Sequence, residues 1–166
     1  MNTLFSHVCV VTMDERMSVW TDAFVGVTDG KISYLSKHAP EEKPAQIIDA
    51  TGMVLMPGLI NCHTHLPMQL LRGYADDLKL QEWLNDYIFP REDRLDGRCV
   101  RAATTLAVAE CLKFGVTSVS DMYYFCDDIC DVIAKSGMKA NISRGTSMFL
   151  GDDFDFEKFP ACQELV

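Results

Sequence analysis

The sequence predicts an α/β chain that opens with a small antiparallel β segment and continues into parallel βα units. Three observations carry that expectation. Residues 2–55 are β-branched and aromatic runs broken by turn residues, with no helical spacing. The character changes at Pro57-Gly58. Beyond it, short apolar runs alternate with amphipathic stretches at helical spacing, the pattern of parallel βα units.

Residues 2–11 (NTLFSHVCVV) and 17–28 (MSVWTDAFVGVT) read as strands. Asp29-Gly30 is a hairpin signal, and Lys31 to Ser36 alternates polar and apolar residues as the return strand. A polar loop from His38 to Pro44 follows, then short strands at Gln46 to Asp49 and Met53 to Leu55 around a Thr51-Gly52 turn. Leu59 to Cys62 is a brief apolar strand, closed by Pro67 and followed by a loop through Gly73. Helical spacing at Leu80, Trp83, Leu84 and Tyr87 predicts a helix over 78–87 that Pro90 interrupts. The next helix runs from Asp96 to Phe114, with Val100, Ala103, Ala107, Cys111 and Phe114 on one face and Gly115 as its stop. A strand from Val116 to Asp121, a helix from Asp127 to Lys135, a stop at Gly137 and a strand from Lys139 to Arg144 complete the pattern. Asp155 to Val166 reads as a further amphipathic helix. We therefore expect two domains, a β segment over 1–57 and βα units over 58–166.

With 24 acidic and 15 basic residues, the net charge of −9 disfavours nucleic acid and anionic membrane as partners. The first residues, MNTLFSHVCVVTMDER, lack a basic start and a clean apolar core, and no apolar run approaches the roughly 20 residues of a membrane span. A cytoplasmic location is the expectation. The seven cysteines are irregularly spaced and read as reduced thiols. Cys126 and Cys130 could share a helix face, but no second Cys or His pair lies nearby to complete a tetrahedral site.

The chemical signal lies in VLMPGLINCHTHLP, residues 54–67. His63 and His65 are separated by one residue, and in a strand such positions share a face. Both imidazoles would aim at one point while Thr64 faces away. Two neutral imidazoles make half a site for zinc, iron or nickel, whereas a catalytic zinc typically takes three protein ligands and a water.

PGLINCHTH after a small β unit resembles the amidohydrolase superfamily. The blocks that follow strengthen the likeness: Leu70-Leu71-Arg72-Gly73, Glu82-Trp83-Leu84, Pro90 to Leu95, Val119 to Tyr123, and Ser143-Arg144-Gly145. Their order is similar to that of the aminohydrolase branch holding the methylthioadenosine/adenosylhomocysteine deaminases and related guanine and triazine hydrolases. The resemblance implies a (β/α)8 barrel of the TIM type, of which this chain would hold about the first three βα units. It also implies that residues 1–57 are part of a composite β-sandwich. A whole barrel needs roughly 250 residues; the remaining ligands and proton-shuttling groups would then lie beyond Val166, leaving the isolated chain inactive. An unclosed parallel sheet would also favour association through its edges.

The resemblance implies one divalent metal, zinc in the first place or iron, held in part by His63 and His65. That metal would activate a water to deaminate a small purine nucleoside. Glu92 matches the carboxylate that takes ribose hydroxyls, Trp83 a residue lining the base pocket, and Arg144 an arginine that reaches a substrate carboxylate. Some members place a second arginine near position 156, where this chain has Phe156. By residue type alone, Glu92 belongs to the charged run Arg91 to Arg94, Trp83 to an apolar helix face, and Arg144 to a strand end. A guanine or triazine hydrolase of the same branch, or a non-catalytic truncated product, are the competing readings. Asp121 ends a strand and is assigned a structural role; His7 and His38 read as edge or loop residues.

Overall fold

The computed structural model describes residues 1–145. The helix expected over Asp155 to Val166, Phe156 and Cys162 lie outside them. The chain divides into two compact units, Met1–Pro57 and Gly58–Val166.

The first unit is one five-stranded mixed sheet of β1 (Thr3–Val11), β2 (Val19–Thr28), β3 (Lys31–Ser36), β4 (Gln46–Asp49) and β5 (Val54–Leu55). The Asp29-Gly30 turn, with φ of 49° and 74°, joins β2 to β3 in an antiparallel hairpin. The antiparallel β-sandwich segment expected for this region is corrected in one respect. β4 and β5 both run parallel to β1, with Phe5 opposite Ile48 and Cys9 opposite Val54. The cause is the long loop after β3, which returns the chain to the start of β1; Gln46 N bonds the Asn2 carbonyl at 3.0 Å. A two-residue turn could only reverse direction, whereas a long connection permits parallel pairing. Val8, Val10, Ala23, Val25 and Ala50 form the core of this unit.

The second unit holds a three-stranded sheet, β6 (Leu59–Thr64), β7 (Val116–Tyr123) and β8 (Lys139–Arg144), parallel throughout and in sequence order. Gly58, just before β6, packs so close to the Thr117 side chain that a Cβ there would overlap it. A 3-10 helix over Leu66–Leu71 replaces the loop expected after Pro67. The expected break at Pro90 is also corrected. Helix runs from α1 (Leu80–Glu82) through a π turn at Trp83–Ile88 into α2 (Phe89–Glu92), with Pro90 inside it. Phe89 N bonds the Leu84 carbonyl five residues back. The wider turn makes room for a proline ring that would collide with an α-helical carbonyl.

α3 (Gly97–Lys113) is capped by Asp96, whose side chain accepts from Cys99 N at 2.8 Å. It buries Val100, Ala103, Thr104, Ala107 and Val108, of which Val100, Ala107 and Val108 join Val119 and Tyr123 of β7 in one core. Phe114 leaves that face and is 72% exposed, because the helix ends at Lys113 and the chain turns at Gly115. α4 (Cys126–Ser136) presents Ile129 and Ile133 to the same core and stops at Gly137, φ 75°. No helix among the described residues is long and apolar enough to cross a membrane.

Candidate metal site and neighbouring cavity

His63 lies in β6, and His65 caps the 3-10 helix one residue past the strand end. Their Nε2 atoms are 3.3 Å apart, so the two rings converge as the i, i+2 spacing requires. His65 Nδ1 lies 2.7 Å from the Met122 carbonyl oxygen at the end of β7. A carbonyl only accepts, so that nitrogen carries the proton and the Nε2 of a neutral His65 ring is a lone pair. This is the arrangement by which a metal-ligating imidazole is held in one tautomer. The pair fits a divalent metal as half a ligand set. No group of three or more His, Cys, Asp or Glu side chains that could hold a metal occurs among the described residues.

Asp121, in β7, is 1% exposed. Its Oδ1 accepts from Thr64 Oγ1 at 2.7 Å and from Leu66 N at 2.7 Å, while Oδ2 has no hydrogen-bond partner. Burial raises its pKa, and the bonds from Thr64 and Leu66 pull the other way.

A cavity of about 330 Å³ brings together His65, Trp83 and Glu92, with Met68, Ile88 and Tyr123 among the other lining residues. Its size falls in the range of about 300–1,000 Å³ usual for small-molecule sites. The π turn sets Trp83 and Ile88 on this wall, and α2 ends on Glu92. The buried Tyr123 hydroxyl donates to Glu92 Oε1 at 2.6 Å. Burial first, then the bond to Glu92, pushes the Tyr123 phenol far up, so it stays protonated and donates. Glu92 keeps its second oxygen for other partners.

Arg144 is placed differently. It ends β8 with its guanidinium carbon 4.6 Å from the Tyr124 ring centroid, and Nη1 donates to the Gly145 carbonyl at 2.6 Å. It lines a second cavity with Phe125, Cys126 and Asp127, while Tyr124 and Gly145 line the first. Tyr123 and the Met122 carbonyl have no role in the sequence reading, and Asp121 has only a structural one; all three contact His65, its flanking residues or Glu92. A strand ending in Asp-Met-Tyr at the carboxyl edge of a parallel sheet was the available signal.

The amidohydrolase family profile matches residues 54–152, which span the histidine pair and the whole parallel sheet. The chain belongs to the amidohydrolase family. Among curated amidohydrolase relatives, it is 40% identical to a 5′-deoxyadenosine deaminase of Methanosarcina acetivorans, over 86% of this chain and 33% of that one. It is 39% identical to a 5-methylthioadenosine/S-adenosylhomocysteine deaminase of Pelotomaculum thermopropionicum, over 87% of this chain and 34% of that one. Among solved structures, an adenosine deaminase from Xanthomonas campestris with bound zinc matches with a TM-score of 0.77 at 36% identity, covering 84% of this chain and 33% of that one. This amidohydrolase chain thus spans about a third of the length of the curated relatives it matches.

Proposed function

We propose that the chain supplies the first metal ligands and one wall of the substrate pocket of an aminohydrolase that deaminates a small adenine nucleoside. The observation that carries this is the cavity shared by His65, Trp83 and Glu92. His63 and His65 would hold a divalent metal, zinc by preference, through converging Nε2 atoms. When bound, such a metal supplies a nucleophile at neutral pH by acidifying water. Trp83 offers an aromatic wall to the purine, and Glu92 offers a carboxylate oxygen to the paired ribose hydroxyls. Tyr123 holds that carboxylate by its other oxygen. The deaminase names of relatives at about 40% identity support the same substrate class. In this reading the three parallel strands open a (β/α)8 barrel, the division near Pro57 is a domain boundary, and Arg144 reaches a substrate carboxylate from the neighbouring cavity.

The test uses the 166-residue chain with zinc and 5′-methylthioadenosine. Nucleoside is expected to shift the NMR signals of Trp83 and Tyr123 more strongly than free adenine does, and Glu92→Gln to remove that difference. Equal response to adenine, guanine and nucleoside would overturn the assignment of Glu92. Ammonia release by the chain alone is expected to be absent, since two histidines fall short of the three protein ligands a catalytic zinc typically takes. Turnover at ordinary enzymatic rates would sink that expectation.

A further inference from the structure

The carboxylate of Asp121 is buried and half unpaired, an expensive arrangement for a side chain that serves only packing. Its one engaged oxygen is used twice, and both donors flank the same residue. Thr64 Oγ1 precedes His65 and Leu66 N follows it, each 2.7 Å from Asp121 Oδ1. Thr64 Oγ1 also lies 3.0 Å from the Ser120 carbonyl; the shorter contact goes to the carboxylate. The residue after Asp121, Met122, gives the carbonyl that receives His65 Nδ1–H. Asp121 and Met122 therefore hold the Thr64 hydroxyl before His65, the Leu66 amide after it, and Nδ1 of its ring. The β6–β7 register shifts between Asn61 and Thr64 and resumes with Thr64 opposite Asp121, and β6 ends there, so His65 and Leu66 lie beyond its sheet pairing.

We propose that Asp121 is the positioning residue of the histidine pair. Its carboxylate clamps Thr64 and Leu66 so that His65 donates through Nδ1 and aims its Nε2 lone pair towards the Nε2 of His63 before any metal arrives. The consequence for metal affinity rests on the reading of His63 and His65 as ligands; the clamp on the His65 tautomer does not. A charged acceptor suits the role because hydrogen bonds to a carboxylate are shorter and stronger than those to a neutral oxygen.

The experiment uses the metal-free 166-residue chain, labelled with 15N in its imidazoles, and follows the His65 tautomer by NMR. Zinc titration by calorimetry is run in parallel. His65 is expected to hold its proton on Nδ1 in the unaltered chain and in Asp121→Asn, which keeps an acceptor oxygen in place. Asp121→Ala and Thr64→Val are expected to release the ring to a mixture dominated by the Nε2–H form. Zinc affinity should fall with it by about 10- to 100-fold in Asp121→Ala, the usual effect of losing an outer partner of a metal ligand. Thr64→Val removes one bond without a change of shape and guards against an alanine variant that fails to fold. A folded Thr64→Val that keeps the Nδ1–H form would overturn the clamp, whatever Asp121→Ala does. If the tautomer responds as expected but the unaltered chain binds no zinc, the clamp stands and the metal reading fails.

Discussion

The two compact units differ in what they bury. In Met1–Pro57 the buried set is apolar, Leu4, Val8, Val10, Ala23 and Val25 among them, with Ser6 as its buried polar side chain. In the second unit, the described residues bury Thr104, Asp121 and the Tyr123 hydroxyl as well. Burying polar groups opposes folding unless each is paired, so their position is informative. Asp121 and Tyr123 both belong to the last three residues of β7, beside His65 and Glu92. The first unit is a sheet stabilised by ordinary packing. The second buries polar side chains, two of which, Asp121 and Tyr123, bond to groups at His65 and Glu92.

The largest expected effect tests that contrast directly. If His63 is a ligand as proposed, His63→Ala should lower zinc affinity at least about 100-fold, more than the loss of an outer partner, whereas His7→Ala in the first unit should leave the calorimetric titration unchanged. Equal losses from both would erase the distinction. Ile129→Ala comes next. Its side chain is 0% exposed in the core of the second unit, and its loss should lower stability by about 2–5 kcal/mol in urea denaturation.

The Tyr123–Glu92 pair gives a sharper and smaller signal. Glu92→Ala leaves a buried hydroxyl without its acceptor and should cost about 1–3 kcal/mol, whereas Tyr123→Phe removes only a made bond, about 0.5–1.5 kcal/mol. Adding Tyr123→Phe to Glu92→Ala should then recover stability. If the two losses simply add, the hydroxyl is not held by Glu92.

Acid should separate the units least. Hydrogen bonds lower the pKa of Asp14, from Ser18, and of Asp49, from Thr51, in the first unit. In the second they lower those of Asp96, from Cys99, and of Glu110, from Arg72. A folded-state pKa below the unfolded one contributes stability that is present above the unfolded value and lost as pH falls through the folded one. Amide-exchange protection in both units should therefore decline together below about pH 4, the unfolded carboxylate range. A decline confined to one unit would contradict this.

Much of the fold was legible because it depends on neighbours in the chain. Asp29-Gly30 forms its hairpin, Asp96 caps its helix, and Gly115 and Gly137 stop theirs with φ of 80° and 75°. Pro90 lies inside a helix because the wider turn upstream removes the clash on which the local rule, that proline ends a helix, depends. The direction of β4 was misjudged because a loop of that length leaves strand direction open.

The two histidines with one residue between them were legible from the sequence, because side-chain direction along a strand has a period of two. That the two rings share a side agrees with that period, and their Nε2 atoms stand 3.3 Å apart. The sequence alone could not say that His65 is locked by the Met122 carbonyl, that Asp121 grips both sides of it, or that Tyr123 holds Glu92. Those contacts join residues 31 to 57 positions apart, and only parallel pairing of β6 with β7 and the packing of the helices beside them bring such partners together. A chain-local pattern can state which way a side chain points; what it meets there is decided by the strand that comes to lie beside it.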